Sequence, residues 1–294
     1  MTIDVPAAVA FVASNGRVLD RRRLHHLLGD GDAAGVIAAL DGYHNNDGGF
    51  GWALESDLRS PESQPVAAMH AFEIIAGIAP TVTPRAVELC DWLQRHTIDN
   101  NGVPFALPIG NPAGCAPWWK DADTTAPSLH ITAAVAAKAH LVARHDPAVA
   151  SHPWLGATTE WCLERIAGIT KPNSHELLFS LLFCEAASDT HPEATGLLEH
   201  IGEHLPDHGV VAVDGGIEGE VFHPLDFSPN PGRPLRRLFP DHVIAADLDR
   251  LEADQRDDGG WDVNFRSASP VGLLEWRAYA TVNAIIILRA NRKA

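Results

Sequence analysis

The chain has 294 residues, with 22 Lys and Arg against 38 Asp and Glu, for a formal charge of −16. That field repels nucleic acid and anionic membrane surfaces, so neither is expected as a partner. The length supports a large apolar core without disulfides or structural metal; the four cysteines, Cys90, Cys115, Cys162 and Cys184, form no Cys-x-x-Cys pair, and three of them lie in apolar helical patterns, which favours buried, reduced thiols.

Residues 1–13 carry no basic side chain ahead of their apolar stretch, and Asp4 with Pro6 marks a helix start rather than a signal peptide, so the chain reads as cytoplasmic. Helical periodicity then recurs over 5–14, 18–28, 32–42, 63–77, 84–97, 127–144, 154–167, 174–187, 192–204, 240–255 and 271–290. Val210–Val213 is the one short β-branched stretch, and Asp-Gly-Gly stops it at once. The longest apolar run near the end, Ala284–Leu288, falls far short of the roughly 20 residues of a membrane span, so no transmembrane segment is expected.

The joints between helices resemble one another: Asn45-Asn-Asp-Gly-Gly-Phe50, Asp99-Asn-Asn-Gly-Val-Pro-Phe105, Val213-Asp-Gly-Gly216 and Gln255-Arg-Asp-Asp-Gly-Gly-Trp261. In each, Gly supplies a left-handed exit from a helix, and in three an aromatic follows to plug the seam. Recurrence at this spacing predicts helical hairpins in a solenoid or closed ring, hence an all-α, single (α/α) toroid domain over residues 1–294. The long irregular pieces, 44–62, 99–126 and 205–239, are rich in Pro, Gly and aromatics and read as ordered loops over one mouth of that ring.

Leu251-Glu-Ala-Asp-Gln-Arg-Asp-Asp-Gly-Gly-Trp261 resembles the QW repeat of triterpene cyclases, with Arg250 where the full motif has an aromatic. Asn46–Phe50 is a degenerate copy in which Gln is absent and Phe replaces Trp. Asp121-Ala-Asp-Thr-Thr-Ala126 is similar to the Asp-x-Asp-Asp-Thr-Ala motif of squalene-hopene and class II diterpene cyclases, and closer to the Asp-x-Asp-Thr-Thr form of drimane-type sesquiterpene cyclases. The resemblance implies a class II terpene cyclase: protonation-initiated cyclisation of a linear C15 or C20 isoprenoid, with Asp123 as general acid, Asp121 as its partner and Thr124 in place of the third aspartate. Members of that family mostly use two helical barrels. A chain with length for one must complete the enclosure with its own loops or with a second copy, as a homo-oligomer.

Such an acid has to stay neutral in an apolar cavity, held by a neighbouring carboxylate, and be stabilised as an anion by hydroxyls and helix N–H groups. The same residues also make an ordinary N-cap for the helix that follows. His175 is the candidate orienting or reprotonating partner and His130 its competitor; either also reads as a packed histidine. Aromatic faces steer a carbocation, which points to Trp118 and Trp119, then Phe50, Trp52, Phe105, Trp261 and Phe265. The protonation step needs no cofactor. If the substrate is a diphosphate, Glu55 and Asp57 are the residues to hold Mg²⁺, with Arg59 and the cluster Arg233, Arg236 and Arg237 on phosphate oxygens.

Three other readings fit parts of the pattern. A protein prenyltransferase-like ring needs an Asp, Cys and His zinc set, for which Cys162 and Cys184 lack a partner pattern. A glycosidase or lyase toroid would use paired carboxylates and Trp platforms, but there are only two Tyr. A non-catalytic toroid that binds an isoprenoid or a protein partner has no need of cavity-facing aspartates.

Overall fold

The computed structural model describes residues 3–99 and 101–291. Asn100 of the second joint, the first two residues and the last three lie outside the described residues. The chain is mostly helical, with fourteen α-helices and one two-stranded ladder among the described residues. The helices are α1 Val5–Asn15, α2 Val18–Leu28, α3 Ala33–Leu40, α4 Pro65–Ala76, α5 Pro84–His96, α6 Pro117–Lys120, α7 Leu129–Ala143, α8 Pro147–Ala150, α9 Pro153–Ala167, α10 Ser174–Ala187, α11 Glu193–Gly202, α12 Pro224–Phe227, α13 Asp241–Ala253 and α14 Pro270–Asn291.

Their starts are written locally. Asp4, Asp32, Thr83 and Ser128 each accept a hydrogen bond from a first-turn N–H, and Asn173 forms a capping box with Glu176. Segment 32–42 divides into α3 and a 3₁₀ turn at Asp41–Tyr43, and the β-branched stretch contributes only the strand β1 Val211–Ala212, antiparallel to β2 Val221–Phe222. The short helices α6, α8 and α12 have too few residues to show a period.

Helices α4, α7 and α10 are apolar on nearly every side, whereas α5 buries one stripe made by Ala86, Leu89, Cys90, Trp92 and Leu93. A helix apolar all round has to be covered all round. Accordingly α7 packs on α4 and α10 with α8 and α9 behind it, and two apolar clusters meet across it. Ala133, Ala136 and Ala137 face one; Ile131, Val135, Ala139 and Val142 face the other.

The pairings pass from α2 through α3, α4, α7, α10, α12 and α13 to α14, which lies back against α1 and α2. One seam closes there. Gly259, at φ +88°, leaves no room for a Cβ, which would fall 2.3 Å from the backbone of Ala7, and a Cβ on Gly260 would fall 2.7 Å from the Phe11 ring. The first and last joints share one turn: Gly49 N–H donates to Asp47 Oδ1 at 2.9 Å and Gly260 N–H to Asp258 Oδ1 at 3.0 Å. In both, the preceding Gly is left-handed, and the aromatic that follows, Phe50 or Trp261, is buried.

The four cysteines are free, and burial pushes the Cys90 and Cys184 thiols up to about 12. Helix α14 is long and apolar enough by composition to cross a membrane, unlike the short run expected from Ala284–Leu288. Its packing against α1, α2 and α13, with its side-chain bonds to Asp57 and Glu73, accounts for that composition as a core helix.

Candidate functional site

The loops that enter α4, α7, α10 and α14 build the site. Between the first joint and α4, Trp52 and Ala53 lie in the left-handed region at φ +55° and +63°, a conformation that L-residues adopt at a cost of about 1–2 kcal/mol each. The kink sends the chain inward, so Leu54, Glu55, Ser56, Asp57 and Leu58 are all buried. Arg17 fastens it, donating to Leu54 O at 2.9 Å while its own charge is held by Asp20 at 2.8 Å.

Glu55 Oε2 then meets His70 Nε2 at 2.8 Å, and His70 Nδ1 faces Glu73 Oε2 at 3.6 Å. Glu73 also takes the Tyr279 hydroxyl at 2.8 Å and Lys138 Nζ at 3.3 Å. The Arg23 guanidinium lies over the Tyr279 ring, 5.3 Å from its centroid, and donates to Asn283 Oδ1 at 3.2 Å. Residues from α2, α4, α7 and α14 thus converge on one polar node. Burial opposes a charge on His70, but its hydrogen bonds to Glu55 and Glu73 outweigh that and raise its pKa. Burial also opposes charge on Glu73, yet the Lys138 ammonium and the His70 hydrogen bond keep it well below the carboxylate range. Burial and the adjacent Glu73 charge drive the Tyr279 hydroxyl well up. The line Glu55–His70–Glu73–Tyr279 can therefore hold or relay a proton inside the fold.

About 12 Å along α7 from Lys138, toward the helix start, is an uncharged aromatic group. His130 stacks on His175 at 4.7 Å and on Phe179 at 4.9 Å, Phe105 meets His130 at 5.6 Å and Trp119 at 4.8 Å, and Phe222 closes on His175 at 5.2 Å. Burial, helped by the adjacent His175, pushes His130 down to about 3; burial lowers His175 as well, so both imidazoles are neutral at pH 7. The Trp119 indole N–H is buried without a partner among the described residues. A second aromatic row, Phe265–Trp276–Tyr279, runs along the entry to α14.

Several expectations need correction. Asp123 is exposed to solvent, and its Oδ1 accepts from Thr125 N at 2.8 Å and from Thr125 Oγ1 at 2.7 Å; these bonds lower its pKa, so it is an ionised turn residue and not a neutral acid in an apolar pocket. The cause is local: α7 takes Ser128 as its cap, leaving the acidic run in the loop after α6. Asp121 is exposed at the end of α6, and Thr124 is half-buried in that loop.

Asp57 has both oxygens occupied by Ser267 Oγ, Ala268 N and Trp276 Nε1, and Glu55 is bound to His70, so this pair does not fit Mg²⁺. Arg59 is committed to Glu275 at 2.7 and 3.3 Å. Phe50 is core, and Trp261 braces Leu251 O through Nε1 at 2.7 Å, so neither lines a site. Trp52 and Trp118 are 55% and 47% exposed. The cluster Arg233, Arg236 and Arg237 sits at the opposite ends of α10 and α14, against Glu185, Asp189 and Asn291, away from the loops that enter those helices.

The structure does bring together Phe105, Trp119, His130 and His175, and sets Phe265 against Trp276. It adds His70, Glu73, Lys138, Tyr279 and Arg23, which the sequence reading passed over. For Glu73 and Lys138 the signal is a lone charge inside an apolar helical run, Ala71-Phe-Glu-Ile-Ile75 and Ala136-Ala-Lys-Ala139.

The chain matches no family model and no curated protein. Among solved structures it is similar to the crystal structure of a protein from Actinoplanes, with a TM-score of 0.53 and 17% identity over 97% of this chain and 88% of that one. At that identity the likeness concerns the fold alone.

Proposed function

We propose that the chain is a closed α/α toroid of the terpene-cyclase type, and that it takes an apolar, isoprenoid-like chain past the aromatic mouth into the space its inner helices surround. The helix pairings that return α14 to α1 and α2 support closure, as does the Gln255 brace, which matches the QW-like motif. One observation carries the ligand class: aromatic rings and two neutral imidazoles from α7, α10 and their entry loops stack on one another, with Glu220 and Asp214 acting on His175 only from the edge of the group. Such a lining favours a hydrocarbon or a delocalised cation over a sugar or a nucleotide.

A second reading is protonation-initiated cyclisation of a C15 or C20 substrate with Asp123 as acid. It is favoured by the position of the acidic run, which follows directly on Trp119 of the mouth. It requires that loop to carry a protonated Asp123 inward on substrate binding.

Farnesyl and geranylgeranyl diphosphate and their alcohols, with and without Mg²⁺, separate these readings when tryptophan fluorescence and mass spectra of extracts are read together. Quenching that disappears in Trp119→Phe, without new product, supports the binding toroid. A cyclised product lost in Asp123→Asn supports the cyclase. Neither quenching nor product with any of the four sinks both.

A further inference from the structure

The geometry points to a second binding site, for a phosphate-bearing small molecule, in the pocket of about 420 Å³ formed by Gly232, Arg233, Arg236, Arg237, Phe239 and Asp241. Charge is the reason. In a chain of net charge −16, this segment places three guanidinium groups within five residues. Two of them make no salt bridge among the described residues.

Arg236 is pinned by neutral acceptors alone: its Nε donates to Ser228 Oγ at 3.0 Å, and its Nη2 to Ser228 O at 2.7 Å and Asn291 Oδ1 at 2.8 Å. These bonds fix the fork without cancelling its charge, which Glu185 offsets only through space, and a cation held in this way is preorganised for an anion. Arg237 is exposed and has no hydrogen-bond or ion-pair partner among the described residues. Arg233 is the counter-example, since Asp189 takes its Nη1 at 3.0 Å and Glu185 O its Nη2 at 3.0 Å, though its Nε is buried without a partner.

Helix α13 starts at the rim, after Pro240, with no side chain capping its first N–H groups. Its positive end adds to the same field. Asp241 is the one carboxylate in the lining and opposes it. Forked guanidinium groups suit tetrahedral oxyanions, and the volume accommodates a diphosphate head with part of its organic group.

This inference stands apart from the mouth reading, because the pocket lies at the other ends of α10 and α14. The test is calorimetric titration of the whole protein with inorganic pyrophosphate, phosphate and sulfate at constant ionic strength. Pyrophosphate is expected to bind one site, roughly tenfold more weakly in Arg237→Ala, in line with loss of a charged hydrogen bond. Binding is expected to tighten in Asp241→Asn. The unpartnered Arg237 can be replaced without disturbing the fold, and the Trp119 quench, read in parallel, is expected to stay unchanged. No heat with millimolar pyrophosphate, equal affinity in both variants and wild type, or sulfate binding as tightly as pyrophosphate overturns the assignment.

Discussion

The side-chain amide of Gln255 grips the main chain of Asp4 from both sides: its Oε1 accepts from Asp4 N at 2.7 Å and its Nε2 donates to Asp4 O at 2.9 Å. These partners are 251 positions apart, so the bond ties the first helix to the turn before the last. Gln255 Nε2 also donates to Gly259 O at 3.0 Å, so Gln255→Ala, which removes three partly exposed hydrogen bonds, is expected to lower stability by about 1–3 kcal/mol in urea denaturation. Gly259→Ala should be worse, by about 3 kcal/mol or more, since the new Cβ meets Ala7 backbone at 2.3 Å in a left-handed turn. A neutral Gly259→Ala would show that the seam is not packed as described.

His70 titrates above its ordinary value because Glu55 and Glu73 hold its proton against burial. A raised folded pKa stabilises fully below the unfolded value, near 6.5, and that stability is lost as pH rises through the folded value. Glu55→Gln should therefore cost more at pH 6 than at pH 9, about 3 kcal/mol at the lower pH, because it leaves a buried charge short of a partner. Equal losses at the two pH values would mean that His70 is neutral in the fold.

His130 and His140 carry the opposite sign. Burial pushes them down to about 3 and about 4, so their neutral forms stabilise the fold above pH 6.5, and that contribution fades as pH falls toward those values. The urea midpoint should decline between pH 6.5 and 4, and His130→Phe, which keeps the ring stack, should flatten the decline. An unchanged slope in that variant would remove the claim.

Asp123 faces water and bonds only within its own turn. Asp123→Asn should leave the thermal midpoint and any ligand-induced Trp119 quench unaltered. Loss of the quench in this variant would bring Asp123 into the binding mouth.

Much of the helical scaffold was legible because its signals are local. Periodicity placed α10 at 174–187, where it lies, and α5 to within a residue of its end, while Gly-Gly-aromatic joints marked turns that do share one geometry at Asp47 and Asp258. The candidate site was less legible because its chemistry is set by what crosses the interior. Nothing around Glu73 announces Lys138 or Tyr279, and nothing in the acidic run says that Ser128, and not Asp123, caps α7. Likewise Asp57 looked available until the partners from the α14 entry, Ser267, Ala268 and Trp276, were seen to saturate it.

Helix α7 has neighbours on every flank, and its stretch Ile131–Ala137 shows no face to solvent. Its amides can trade their hydrogens for deuterium only when several surrounding elements part at once, so its exchange is governed by global opening. Helix α13 fully buries just Ile244, Asp247 and Leu248, so it can open ahead of the interior. The molecule should come apart from its rim inward, with α7 the last element to yield.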